Sequence, residues 1–288
     1  MTGIEITIQV LTCGALIGLL CAVGLRLTYG EVKSALKECP LAAILLLNFV
    51  VVPALAVAAV RGFGLRSDVA VAMILLAASP FAPVVPVFAR MARSALALAA
   101  VLTGLFPLAC AFLTPFAARG ALRSLGSKYA VSLDVWTTLA TLMATVTLPL
   151  VAGMVFRYHT PNIGRRLLRP VEVISEAIGA TSLVFVTATQ FHAIISLEWR
   201  AWLAMAAVSE LSLLLGWWVG APDRGTRQVV ALGTSNRNIA LALLVSIQSF
   251  HGTQIASAVV GNGLLLIIFG LLHVAWWRFF GTEQRVTY

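Results

Sequence analysis

The chain has 288 residues, 60% of them apolar, with 20 Lys and Arg, 11 Asp and Glu and a net charge of +9; its mean hydropathy is +0.97. A soluble domain holds about 45–50% apolar and about 25% charged residues, so a single water-soluble core is excluded and a bilayer is indicated. The cations stand singly between apolar runs rather than along one stripe, which speaks against nucleic acid as a partner.

About 20 apolar residues cross the hydrocarbon core as a helix. Five runs of that order contain no Asp, Glu, Lys or Arg: 6–25, 40–60, 69–89, 94–118 and 135–156. Two more, 177–197 and 252–277, each carry one histidine, whereas 201–221 carries Glu210 and 228–250 carries Arg237. The expectation is an all-α polytopic membrane protein of nine transmembrane helices in one domain spanning 1–288.

The first stretch follows Glu5 with no Lys or Arg before it, and neither Cys13 nor Cys21 follows the small residue expected at a lipoprotein cleavage site, so it is expected to stay in the mature protein. After it, Thr28 and Glu31 predict a capping box on a short amphipathic cytoplasmic helix. The connections over 119–134 and 157–176 are expected to be basic turns. Cys13, Cys21, Cys39 and Cys110 show no metal-ligand spacing and are read as packing residues. Ser34 and Lys37 fit Ser-x-x-Lys without its partner motifs. Gly261, Gly263 and Gly270 suit close helix packing. His192, just after Thr187, Thr189 and Gln190, is a candidate pore-lining residue.

Two stretches are interrupted. The third reads AASPFAPVVPVFAR, and Pro80, Pro83 and Pro86 each remove a backbone donor and clash with the preceding turn. The eighth reads ALGTSNRNIALALLV, with Gly233, Thr234, Ser235, Asn236, Arg237 and Asn238 at the centre of an apolar span. An Arg at that depth costs about 2.5–3.5 kcal/mol or more, and unwound backbone survives there only when protein or a water-filled cavity satisfies it. Each interruption is third in a quartet, with one helix between the quartets. This predicts an inverted repeat of four plus four helices: repeat one over about 6–118, a linking helix over about 135–156 and repeat two over about 171–281. Paired discontinuous helices of this kind mark secondary transporters.

Orientation follows from the cations. The connections expected on one side hold 13 Lys and Arg and those on the other hold 6, which places the N-terminus outside and the C-terminus in the cytoplasm. All seven Trp lie near span ends, and 17 Arg against 3 Lys with compact loops suit a bacterial inner membrane.

GLRLTYGEVKSALKECP, LLLNFVVVP, SPFAPVVPVFAR with RSALALAAVLTGLFPLACAFLTP, and LGTSNRNIALALLV together resemble the bile acid:sodium symporter family. The resemblance implies a nine- or ten-helix inverted repeat, here the nine-helix form, with two crossing broken helices in a core domain and a panel domain moving against it. It also implies departures at the sodium ligands. A Ser-Asn pair falls on Ala82 and Pro83, Ser and Thr ligands fall on Ala97 and Val101, and a shared glutamate falls on Gly233. A glutamine ligand of the second site falls on Asn48, and another falls on Arg237.

Sodium coupling is therefore expected to be lost or altered, with no cofactor required. Arg237 brings a permanent cation with five donors and is the expected replacement for bound sodium. The expected activity is secondary transport of a small organic anion through a site bounded by Asn48, Pro83, Ser235, Asn236 and Asn238, with no obligate protein partner. Alternatives are a sodium-coupled symporter with displaced ligands and a ligand sensor on the same fold. An intramembrane enzyme would need a nucleophile with its base or a metal cluster in the spans, and neither is evident. Glu210 and Arg237 stand equally far from the turn near Asp223, so an ion pair between them is expected, or a proton-carrier role for Glu210.

Overall fold

The computed structural model describes residues 3–27, 30, 39–126, 133–220, 223–250 and 254–280. The expected capping box at Thr28 and the Ser34 and Lys37 pair lie outside these residues. In chain order the helices are α1 (Gly3–Arg26), α2 (Leu41–Phe63), α3 (Ser67–Ala77), α4 (Val85–Met91), α5 (Leu96–Ser124), α6 (Val135–His159), α7 (Pro161–Thr189), α8 (Phe191–Ile195), α9 (Trp199–Val219), α10 (Arg224–Ser235), α11 (Ile239–Ser249) and α12 (Ile255–Phe280). Seven of them, α1, α2, α5, α6, α7, α9 and α12, are long and apolar enough to cross a membrane, while α3 and α11 are shorter apolar helices. Among the described residues no strand forms.

Local chemistry sets several boundaries. Gly64 ends α2 in the left-handed region at φ 62, where a glycine carries no Cβ penalty. Asp134 accepts from the Trp136 amide at the start of α6, and Asp223 accepts from the Thr226 amide at the start of α10. Each carboxylate thus satisfies an amide that the first helical turn leaves open.

The expected sixth stretch, 177–197, differs from what is found. Helix α7 begins at Pro161, and Thr160 alone separates it from α6, so no extended basic turn joins the two. The first half of α7 carries Arg165, Arg166, Arg169, Glu172 and Glu176, and a search for uncharged runs discards it. These charges are tolerated because the half is amphipathic and Glu172 pairs with Arg26 of α1. Beyond Thr189 the helix bends at Gln190 into the short α8.

The molecule packs in two groups. Helices α3 and α10 lie innermost: every residue from Val69 to Ala77 is buried, as is every residue from Gln228 to Ser235. Helices that bury all faces occur where protein surrounds them completely. Around them stand α2, α4, α5, α9, α11 and α12. Helices α1, α6 and α7 form a second group. A Cβ on Gly24 would lie 2.2 Å from the Leu150 carbonyl oxygen, and one on Gly153 would lie 2.4 Å from that of Cys21, so these glycines allow α1 and α6 to touch along their backbones. Helix α7 buries only Gly164, Ser175, Ser182 and Val186 and turns most of its surface outward. The Thr12 and Ser182 hydroxyls, 2.9 Å apart, join α1 to α7 beside the cleft between the groups.

Trp136, Trp199 and Trp202 stand at the starts of α6 and α9, whereas Trp217, Trp218, Trp276 and Trp277 stand at the ends of α9 and α12. The Trp217 and Trp277 rings are 5.6 Å apart, which places those two helix ends at the same end of the bundle.

Candidate functional site

Helix α3 stops at Ala77, and the chain resumes helical geometry at Val85. Helix α10 stops at Ser235, and α11 starts at Ile239. The two irregular segments run antiparallel against each other, with Pro80 opposite Arg237. The Phe81 amide donates to the Gly233 carbonyl at 3.1 Å, the Ala82 amide to Asn236 at 3.1 Å and the Asn238 amide to Ser79 at 2.7 Å. Backbone groups left open by one interruption are thereby satisfied by the other. From α5, the Thr114 hydroxyl donates to the Ala78 carbonyl at 2.6 Å.

Phe81 turns the first segment. Its φ is 58, in the left-handed region that is uncommon for a bulky residue. Its ring stacks on Phe106 with centroids 3.9 Å apart and covers Gly233, where an added Cβ would lie 2.1 Å from a ring carbon.

Asn48 approaches from α2, whose helix widens into a π turn over Leu47–Val51. Such turns are frequent at functional sites. The side chain is fully buried; its Nδ2 donates to the Ile44 carbonyl at 2.9 Å and to the Thr234 hydroxyl at 3.3 Å. Its Oδ1 accepts from Arg237 Nη1 at 3.1 Å, and the same Nη1 donates to the Ala77 carbonyl at 3.1 Å. Arg237 is 4% exposed, and its guanidinium sits at the carbonyl end of α3, where the helix dipole is negative. Its Nη2 has no protein partner.

A cavity of about 360 Å³ opens between the crossing and the α1 and α7 wall. Pro83, Asn236, Arg237 and Asn238 line one side, and Thr12 and Glu176 line the other. Asn236 Nδ2 donates to the Leu232 carbonyl at 3.1 Å while its Oδ1 is unpartnered. Asn238 Oδ1 accepts from the Leu241 amide at 3.1 Å and caps α11.

Two residues expected at this cavity stand elsewhere. Ser235 is still helical, and it lines a separate space of about 20 Å³ with Ser212, Asn262 and Arg237. Asn48 lies behind Arg237 and positions it. The expected pair of Glu210 with Arg237 is not formed: Glu210 Oε2 is 3.1 Å from His273 Nε2 of α12. Helix α9 turns Gly216 toward α10, and Glu210 points to a different side of the helix.

A sequence model of the Sodium Bile acid symporter family matches residues 14–197. The chain belongs to this family. The matched part of the Sodium Bile acid symporter family runs from α1 to α8 and includes Asn48 and Pro83, whereas Glu210 and the 235–238 segment lie beyond it. Membership makes the protein a multi-pass membrane protein of a transporter family that handles small molecules. No curated protein matches the chain. Among the described residues no group of three or more His, Cys, Asp and Glu stands close enough to hold a metal ion.

Glu176 and Phe81 were not foreseen from sequence. The sixth uncharged run starts just after Glu176, so the charge that bounds it also conceals a cavity residue. Phe81 had no signal beyond its place among the prolines.

Proposed function

We propose that this chain is a secondary active transporter of a small organic monoanion, working by alternating access between the α1, α6 and α7 group and the rest. The observation that carries the reading is Arg237: a buried cation beside a cavity, with one nitrogen unsatisfied. A carboxylate or sulfonate entering the cavity lies in the field of this buried cation, against the Asn236–Asn238 segment that lines one side. The volume lies within the range of small-molecule sites. Apart from Thr12, Glu176, Ser182 and the crossing residues, the lining is apolar, which suits an anion with an apolar body. Glu176 opposes a second negative charge.

In this reading, the 6–118 and 171–281 segments are inverted repeats about the 135–156 helix, each carrying one discontinuous helix at the crossing. Including both interrupted helices gives nine crossings, with the N-terminus outside, the C-terminus in the cytoplasm and the protein in a bacterial inner membrane. Coupling to sodium is absent or weak. Two observations support this: Arg237 already organises the Asn48 and Ala77 oxygens, and the Phe81 ring fills the space over Gly233 that a carboxylate side chain would need.

The test is uptake of short monocarboxylates and monosulfonates into proteoliposomes, at equal ionic strength in sodium and in choline. Uptake is expected in both salts and is expected to be lost in Arg237→Gln. Uptake that rises steeply with sodium would replace this reading with a sodium-coupled symporter, which the family description favours. Normal uptake by Arg237→Gln would place the anion site elsewhere, and saturable binding without uptake would favour a sensor.

A further inference from the structure

At the end of the bundle where α9 and α12 finish and α10 begins, five side chains enclose an open depression of about 490 Å³: Trp217, Trp276 and Trp277 with Arg224 and Arg227. The two arginines are three residues apart on the first turn of α10 and share one face of it. Trp217 and Trp277 stand side by side at 5.6 Å and form an indole wall. Arg227 Nε is buried and has no hydrogen-bond partner in the protein. Asp223, the nearby carboxylate of the same turn, is engaged by the Thr226 amide at 2.9 Å and does not line the depression.

We infer that this depression binds the phosphate headgroup of an anionic phospholipid. Indoles at a span end sit at headgroup depth, and paired guanidiniums recognise phosphate oxygens through several donors at once. The depression faces outward rather than into the transport cavity, with which it shares no lining residue. A headgroup here meets the Arg224 and Arg227 side chains that line the depression, and its acyl chains lie along the outward faces of α9 and α12, where Trp218 is 81% and Trp276 60% exposed. Basic pockets between spans at a membrane face take acidic lipids for these reasons. The bound lipid would tie α10, and through it the crossing, to the ends of α9 and α12. The inference does not depend on which anion the protein carries.

The experiment is thermal unfolding and native mass spectrometry of the purified full chain in detergent, titrated with phosphatidylglycerol, with phosphatidylcholine or with inorganic phosphate. Phosphatidylglycerol should raise the unfolding temperature saturably and remain bound, and the other two should not. Arg224→Gln/Arg227→Gln should weaken half-saturation about 30-fold, given about 1 kcal/mol for each basic side chain near an acidic surface. Arg278→Gln removes a charge from the α12 end without touching the depression and should leave the titration unchanged. If the double variant fails to fold, Trp277→Phe provides the second reading and should weaken retention of the lipid. Equal stabilisation by phosphatidylcholine or phosphate, an unaltered double variant, or an equal loss in Arg278→Gln would each overturn the assignment.

Discussion

A Cβ on Gly233 would meet three atoms of the Phe81 ring at 2.1 to 2.5 Å, and that ring is backed at 3.9 Å by Phe106. The ring is rigid and stacked, so it cannot give way as a flexible side-chain tip would. Gly233→Ala is therefore expected to destabilise by about 1–3 kcal/mol, the usual cost of overpacking a filled interior. Thermal unfolding in detergent measures it, and Phe81→Leu in the same background should return part of the loss. If Gly233→Ala alone is neutral, the ring moves and the space above Gly233 is not fixed. The resemblance marks Gly233 as a departure from the family's sodium ligands, but nothing in the sequence shows that an aromatic ring 152 positions earlier in the chain closes over it. Asn48 was legible as a polar residue in an apolar span. Its role behind Arg237 was not, because that depends on a π turn in α2 that no periodicity reveals.

At the scale of helices, depth was easier to read than direction. Glu210 and Arg237 do lie equally far along the chain from the α9–α10 turn, yet Gly216 fixes which side of α9 meets α10 through its approach to Ala231. With about 100° per residue, Glu210 stands about 120° around the helix from Gly216 and meets His273 instead. The cycle of Glu210→Gln with Arg237→Gln is consequently expected to add within about 0.5 kcal/mol, as for residues that share no partner. A larger coupling in thermal unfolding would revive the direct pair. The interruptions themselves were visible in the prolines and in the polar run, whereas the start of α7 was hidden by charges that pair across to α1. At the start of α10, the Thr226 side chain and amide hold the Asp223 carboxyl below its ordinary range. A group depressed in the folded state stabilises above its unfolded pKa and loses that contribution as pH falls through its folded pKa. Asp223→Ala should then lower stability at neutral pH by about 0.5 kcal/mol, the low end for an N-cap because the carboxylate is largely in water. The difference from the parent should vanish in acid, and a difference that persists there would mean the cap acts without its charge.

For the whole molecule, apolar run lengths are enough to indicate a bilayer, and the 13 to 6 distribution of cations supports the proposed orientation. Reporter fusions at residue 288 and near residue 125 are expected on opposite sides of the membrane; finding both on one side would break the proposed count of nine crossings. What sequence could not supply was the grouping of helices, since the contact of α1 with α6 depends on Gly24 and Gly153 meeting across distant parts of the chain. The tie of Arg237 to Asn48 and Ala77 has a further consequence. A diffusible ion occupies its place according to its concentration and departs with its gradient, but a guanidinium belongs to the chain and is always there. On the proposed reading, the crossing accordingly does not wait for an ion to become ordered, and diluting a salt does not empty it. On the proposed cycle, Glu176 stays on the α7 wall, and the moving crossing carries the positive Arg237 when vacant and is neutral once a monoanion arrives. A full elementary charge crossing the membrane field feels about 2.3 kcal/mol per 100 mV, so the return of the vacant carrier is the step on which membrane voltage acts.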